Sequence, residues 1–345
     1  MKGQAEKGKD ICKAINLIIE YRRTEDILES FIKPLQRNAD GESRVHCIMN
    51  FSTDSGRLST SRPNLTMLPN KANDQYKIRQ SIEAANGNKL IVADYKQLEL
   101  RIMAHLANCT SMIEDFKEGG DFHIRTAMIM FDYIMKDFRQ GKVVLDRSET
   151  GSDSIDAPLI SDKYPIEVKK AKSMNYSIAY GKDESGLAYN WSCSESDVEY
   201  ISRAWHKSRK EIKKWQNDIK NESSDRGYTT SLIGRRLSLE KYLKFDNWKI
   251  RAAFGRAAIK GTVESGGADI IIGAMVKIYR NKTIKDLGWQ IVHQMHDEII
   301  LEGPQEHANI VNDLIKYIMR HPLDIDLKVA LEVDSCVFDN WYEAK

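Results

Sequence analysis

The sequence predicts an α+β fold, an antiparallel β platform interrupted by a mostly helical block. Three observations carry that reading. An apolar strand, Lys89-Leu90-Ile91-Val92-Ala93, stops at Asp94 and gives way to helical spacing. Two apolar runs, Trp289 to Met295 and Glu298 to Glu302, flank His296-Asp297-Glu298 as hairpin strands flank a tip. Between these β segments, helical signals dominate from Ile166 to Asn221.

The remaining elements follow in order. Residues 1 to about 37 read as helix, with Ile11, Ile15, Ile18, Ile19, Leu28 and Ile32 at three- and four-residue steps. Asn38 to Ser43 is a turn, and Arg44 to Met49 a short strand. Ser52 to Asn70, rich in Ser, Thr, Asn, Gly and Pro, reads as a loop. After the strand at Lys89, a helix spans about Gln97 to Leu106. The polar stretch Val143 to Asp162 is a long loop or insertion. Gly227 to Leu239 carries hairpin signals, and a helix covers about Asp246 to Ile278. The end is β-rich, with one more helix and a last strand at Leu327 to Val333. Neither an internal repeat nor a low-complexity tail is visible.

Composition narrows the class. The 345 residues leave room for about two domains of ~150 residues, or one multi-lobed one. With 41% apolar and 30% charged residues the chain can bury a core and does not read as disordered. No run approaches the ~18 apolar residues of a membrane span. Met1 to Lys7 lacks the apolar centre of a signal peptide, so neither secretion nor a membrane is expected. Five scattered cysteines, never spaced Cys-x-x-Cys, argue for reduced thiols rather than a disulfide framework or zinc ribbon. Lys and Arg total 52 against 50 acids, so any nucleic-acid binding has to come from local patterning.

Two carboxylates at strand ends, Asp94 and Asp297, could meet and hold divalent metal. Hard oxygen ligands suit Mg²⁺, which takes one or two carboxylates together with substrate phosphates. Two such ions, ~3.5–4 Å apart, stabilise an in-line phosphoryl displacement. Taken singly, Asp94 reads at least as well as a helix cap and Asp297 as a turn residue. In the helix Ile166 to Gly181, Lys169, Lys172, Tyr176 and Tyr180 fall within an ~80° arc. Two ammonium groups and two rings on one face can take a triphosphate at one end and a base at the other. A solvated lysine patch explains that helix about equally well.

Together the segments resemble the polymerase domain of family A DNA polymerases, the DNA polymerase I family. Asp94 to Arg101 looks like that family's motif A, Lys172 to Gly181 like motif B, and His296-Asp297-Glu298 like motif C. Thr53 to Thr60 with Pro63-Asn64-Leu65 is similar to the loop before motif A. Gly120-Asp121-Phe122-His123 with Thr126-Ala127, Gly227-Tyr228 with Gly234-Arg235-Arg236, and Asp339-Asn340-Trp341 match in order. The resemblance runs from about residue 44 to the C-terminus.

The resemblance implies a right-hand polymerase fold: a helical thumb remnant at 1–43, palm at 44–110 and 250–345, and fingers at 111–249. It implies a template-directed DNA polymerase acting on primer-template DNA and deoxynucleoside triphosphates with two Mg²⁺ ions. Asp94 and Asp297 match the metal-binding carboxylates, and Glu298 a supporting acid. Lys172 matches the lysine that contacts the triphosphate and serves in catalysis, and His123 a histidine that touches it. Tyr180 matches the tyrosine near the templating base, and Glu99 the residue that crowds the sugar 2′ position. A Tyr at position 176 resembles family members that accept dideoxynucleotides readily. Arg57 looks like the arginine that reads the minor groove of the terminal pair, and Asn64, Arg256 and His296 match other DNA contacts.

The sequence departs from the family at three places. Val168 stands where an arginine is usual, with Lys169 beside it as a substitute lacking the bidentate fork. Lys260 and Glu264 replace a usual Asn and Gln, and at i to i+4 spacing they are expected to pair. The Val143–Asp162 insertion has no counterpart. The stretch from Lys7 to Leu35 is too short for a complete thumb. A separate chain supplying thumb or exonuclease is therefore expected, or the chain is one product of a split or truncated polymerase. Two rivals are a catalytically weak DNA-binding subunit of a split polymerase and a metal nuclease. Lysine content and compactness suggest the cytoplasm of a bacterium or phage-infected cell.

Overall fold

In this computed structural model the described residues are 2–51, 53–69, 71, 74–145, 157–182, 184–191, 193–243 and 247–344. Helix α1 (Lys2–Ile27) runs through a π-helical turn, Leu28–Ile32, into α2 (Lys33–Asn38), as the apolar periodicity predicts. A small ladder pairs β1 (Ile48–Asn50) with β2 (Ser59–Ser61). This corrects the strand expected at 44–49: Val45 bridges back to Ala39, and only the residues facing β2 have ladder partners.

Strand β3 (Asn88–Tyr95) leads directly into α3 (Leu98–Ala107). The helical block follows as α4 (Thr110–Glu118), α5 (Phe122–Met130), α6 (Asp132–Arg139), α7 (Ile160–Lys163), α8 (Pro165–Ala179), α9 (Glu184–Trp191), α10 (Glu195–Ser208) and α11 (Lys210–Arg226). Most of the expected insertion, 146–156, lies outside the described residues; at its edges Val144 pairs with Leu159. A hairpin of β4 (Tyr228–Thr230) and β5 (Arg236–Ser238) and a short α12 (Glu240–Leu243) precede the 33-residue α13 (Trp248–Arg280). Then come α14 (Lys282–Asp286), β6 (Gln290–Met295), β7 (Glu298–Pro304), α15 (Ala308–Arg320) and β8 (Val333–Phe338).

The central sheet has the order β6-β7-β3-β8, every neighbour antiparallel. Side chains alternate across a strand, and β3 uses both faces. Ile91, Ala93 and Tyr95 enter a core with Ile270, Ile315 and Met319 from α13 and α15. Leu90 and Val92 enter a second core with Leu65, Ile78 and Trp341. A central strand buried on both faces explains why the apolar run at Lys89 was legible without alternation.

The last strand lies later than expected. Val329 and Leu331 are buried, yet the extended stretch ahead of Val333 covers the core without a ladder. Arg101 holds that stretch: its Nη1 donates to the Ala330 carbonyl at 2.6 Å and its Nη2 lies 3.2 Å from Glu332. Pairing starts at Val333, opposite Tyr95. Among the described residues, no helix is long and apolar enough to cross a membrane.

Candidate active site

The sheet register brings the acids together. Asp94 sits opposite Glu298 on one side and Asp334 on the other. The β6–β7 hairpin turns in two residues, His296 and Asp297, and Tyr95 N–H donates to the Asp297 carbonyl at 3.1 Å. That bond ties the hairpin tip to the end of β3. Both junctions carry backbone that a non-glycine residue seldom adopts, with φ +52 at Gln97 and +52 at His296. Such conformations persist where surrounding structure over-determines them, and they cluster at functional sites.

A cavity of about 680 Å³ opens at this end of the sheet. Asp94, Glu99, Asp297 and Glu298 line it, and so do Lys172, Tyr176, His123 and His296. Asp121, Glu332 and Asp334 add three acids to the wall that the sequence reading had not assigned. Lys96 Nζ pairs with Asp334 at 2.9 Å, which takes up part of that charge. Glu298 is 1% exposed, and its Oε1 accepts from Trp341 Nε1 at 2.8 Å. Asp94 lies next to the end of β3 and Asp297 in the adjoining hairpin turn, and a donor set of two carboxylates is of the hard-oxygen kind that suits Mg²⁺. Among the described residues no group of three or more such side chains is assembled in ligating geometry.

A second cluster borders the acids. Arg57 Nη2 donates to Glu99 Oε1 at 2.8 Å and lies 3.7 Å from Asp297 Oδ1; its Nη1 lies 3.6 Å from Glu264. Burial pulls the Arg57 guanidinium down, but Asp297 and Glu99 outweigh it and hold the pKa above its ordinary value. Tyr180 Oη donates to the same Glu99 oxygen at 3.2 Å. Lys260 stands 3.6 Å from Glu264, the pairing expected from their spacing, and 5.9 Å from the Tyr180 ring. The loop carrying Arg57 approaches closely at Gly56: φ is +77, and a Cβ there would lie 2.3 Å from Arg235 Nη1.

Helix α8 presents Lys172 and Tyr176 to the cavity, while Tyr180 turns to Glu99. The rings of Tyr176 and Tyr180 lie 6.3 Å apart, and His123 lies 5.5 Å from Tyr176. Lys169 is exposed and does not line the cavity. Asn64 is also outside it; its Oδ1 accepts from the Thr66 hydroxyl at 2.6 Å. Arg256 lies on α13 where the backbone of Gly181 packs against it.

Sequence reasoning missed the groups beneath α8. Asn175 contacts His123, Thr126 and Trp205, and buried Arg209 donates to Thr126 at 3.2 Å. One signal was available: Asn175 interrupts the apolar stripe Ala171, Met174, Ile178, so a polar side chain faces the core.

Two buried histidines give a pH prediction. Burial pushes both His123 and His293 down to about 4 from the usual 6.5. The unfolded chain then binds more protons between those values, so stability is full above about pH 6.5 and falls toward pH 4. Each histidine costs up to roughly 3 kcal/mol at the acid end. Urea unfolding of wild type and His293→Gln at neutral pH and near pH 4.5 checks this. The variant should lose less stability on acidification; an equal loss would contradict the assignment.

Comparison with known proteins agrees with this geometry. The family model "DNA polymerase family A" matches residues 5–142 and 160–343. The chain belongs to DNA polymerase family A. It is 42% identical over 351 residues to DNA polymerase I B, chloroplastic/mitochondrial, of Arabidopsis thaliana, covering 99% of this chain and 33% of that protein. It is 40% identical to DNA polymerase I A, chloroplastic, of Oryza sativa subsp. japonica, covering 99% of this chain and 34% of that one. The chain thus spans about a third of the length of these relatives. A solved structure, the POL domain of Pol1 from M. smegmatis in complex with DNA primer-template and dNTP, superposes with a TM-score of 0.79. It shares 27% identity, covering 93% of this chain and 52% of that one. The right-hand polymerase fold is therefore the architecture of this family A chain. The expected bacterial or phage-infected cytoplasm is overturned: the relatives at 40–42% identity are named chloroplastic or mitochondrial. Lysine content carries no address, so composition could not have distinguished the two.

Proposed function

We propose that this chain is a DNA-directed DNA polymerase that adds deoxynucleotides to a primer 3′ end under template direction. The observation that carries the proposal is one cavity that gathers two carboxylates, Asp94 of β3 and Asp297 of the hairpin turn, with Lys172, His123 and Tyr176 of the helical block. Phosphoryl transfer needs positioning and charge stabilisation more than covalent chemistry, and this set supplies both. Bound by Asp94 and Asp297, two Mg²⁺ ions would lower the pKa of the primer hydroxyl and neutralise charge on the triphosphate. Lys172 offers an ammonium to the triphosphate and can return a proton to pyrophosphate. Tyr176 lies under the sugar, and Tyr180, Glu99 and Arg57 border the nascent pair. Glu298, anchored by Trp341, supports the acids rather than reacting. The palm and fingers boundaries belong to the same proposal.

Single-nucleotide extension on four templates with Mg²⁺ tests this. The expected result is extension only by the complementary deoxynucleotide, with pyrophosphate released. Primer degradation without nucleotide-dependent extension would favour a metal nuclease, and DNA binding without turnover would favour a non-catalytic subunit.

A narrower prediction concerns Tyr176. Its hydroxyl near the sugar can replace the interaction lost with a missing 3′-hydroxyl. The wild type should use dideoxynucleotides nearly as well as deoxynucleotides. Tyr176→Phe should increase discrimination about tenfold, the worth of one hydrogen bond. Competition assays read the ratio, and strong wild-type preference for the deoxynucleotide would refute the role.

A further inference from the structure

We propose that Asn175 is a positioning residue that fixes His123 as the neutral tautomer with its proton on Nε2, so the ring presents a donor to the triphosphate. The proposal rests on the reading that this cavity takes a nucleotide. It follows from which partners can only donate.

Trp205 Nε1–H has no acceptor capacity, and it lies 2.7 Å from Asn175 Oδ1. The amide oxygen must therefore face the indole, and the amide nitrogen faces the other way. That nitrogen lies 3.0 Å from His123 Nδ1 and 3.1 Å from Thr126 Oγ1. The Thr126 hydroxyl donates to the Phe122 carbonyl at 2.9 Å, much the shorter of its two acceptor contacts (Asn175 Oδ1 lies at 3.4 Å), so its oxygen is left to accept. Arg209, also donor only, reaches the same oxygen at 3.2 Å. Both amide hydrogens are then committed, one to Thr126 and one to His123. Nδ1 of His123 has to accept, because a proton there would set N–H against N–H inside a closed network.

The surroundings agree. His123 is 5% exposed, and Asn175 and Thr126 are fully buried. Asp121, which caps α5, favours the imidazolium, whereas Lys172 on α8 disfavours it. Burial is the largest influence and keeps the ring neutral. The rings of Phe122 and Tyr176 lie 6.4 Å and 5.5 Å from the His123 ring. A neutral histidine can donate to phosphate only if the proton is on the nitrogen facing it, and Asn175 is the group that enforces this.

Long-range proton–nitrogen NMR on the chain labelled with ¹⁵N-histidine reads the tautomer directly, with His123 assigned by loss of its signal in His123→Gln. The wild type is expected to show Nε2 protonated and Nδ1 bare. Asn175→Asp keeps the shape but removes both donors, so Nδ1 should gain the proton or the ring should titrate at higher pH. In primer extension, Asn175→Asp should raise the nucleotide KM about tenfold, the low end for a hydrogen bond to a charged group, with kcat little changed. That gap should narrow as pH falls and the imidazolium regains its Nε2 donor. Adding Asn175→Asp to His123→Gln should cause no further rise. A wild-type ring protonated on Nδ1, or an unchanged tautomer in Asn175→Asp, overturns the inference even if extension is normal. A wild type with the expected tautomer but no extension overturns the polymerase reading instead.

Discussion

Asp94→Ala and Asp297→Ala should each slow primer extension by at least about 10³-fold under saturating nucleotide. Metal stabilisation of a phosphoryl transition state is worth several kcal/mol, and each 1.36 kcal/mol is tenfold in rate. Mg²⁺ uses few protein ligands, so removing either carboxylate takes away half of what the chain supplies. Asp94 is the penultimate residue of β3 and Asp297 occupies a hairpin turn, and urea unfolding of each variant separates a loss of fold from a loss of chemistry. The nucleotide affinity supplied by Lys172 and His123 should remain, leaving KM changed far less than kcat. Asp334→Asn is the control. Its carboxylate lines the same cavity and sits opposite Asp94, but it is paired with Lys96 at 2.9 Å. It should slow the reaction much less. Single-turnover extension measures all three, and either alanine variant within tenfold of wild type would sink the metal assignment.

Glu99→Ala should relax discrimination against ribonucleotides by about 10- to 100-fold. Glu99 is 8% exposed and is clamped from two sides, by Arg57 at 2.8 Å and Tyr180 at 3.2 Å. A side chain held that firmly cannot swing aside for a 2′-hydroxyl, and forcing an extra atom against packed groups costs ~1–3 kcal/mol. The alanine removes the obstruction and also releases Arg57 and Tyr180, so deoxynucleotide incorporation should slow as well. Competition between ribo- and deoxynucleotides on one template reads the ratio. An unchanged ratio would show that Glu99 acts on Arg57 alone.

These residues were legible in the sequence because local signals mark them. An apolar run cut by Asp94, two runs flanking Asp297, and Lys172 and Tyr176 one helical turn apart are all patterns within a few residues. What sequence could not show was tertiary. Strand β8 alternates buried Val333 and Ser335 with exposed Asp334 and Cys336, so its pattern is weak, while the buried Val329 and Leu331 imitate a strand just before it. Strand β2, Ser-Thr-Ser, hides in a loop-like composition. The network joining His123, Asn175, Trp205 and Arg209 draws on α5, α8, α10 and the residue after it. Each member alone looks like an ordinary core or surface residue. Lys169 shows the limit of helical geometry, because it lies only ~20° from the mean direction of Lys172, Tyr176 and Tyr180 yet does not line the cavity.

The most direct test is a ternary structure with a dideoxy-terminated primer-template, the complementary deoxynucleoside triphosphate and Mn²⁺ in place of Mg²⁺. Anomalous scattering should place two ions ~3.5–4 Å apart between Asp94 and Asp297. The triphosphate should lie against Lys172 and His123, with its sugar beside Tyr176 and Glu99. Ions bound elsewhere, or a triphosphate away from α8, would contradict the account.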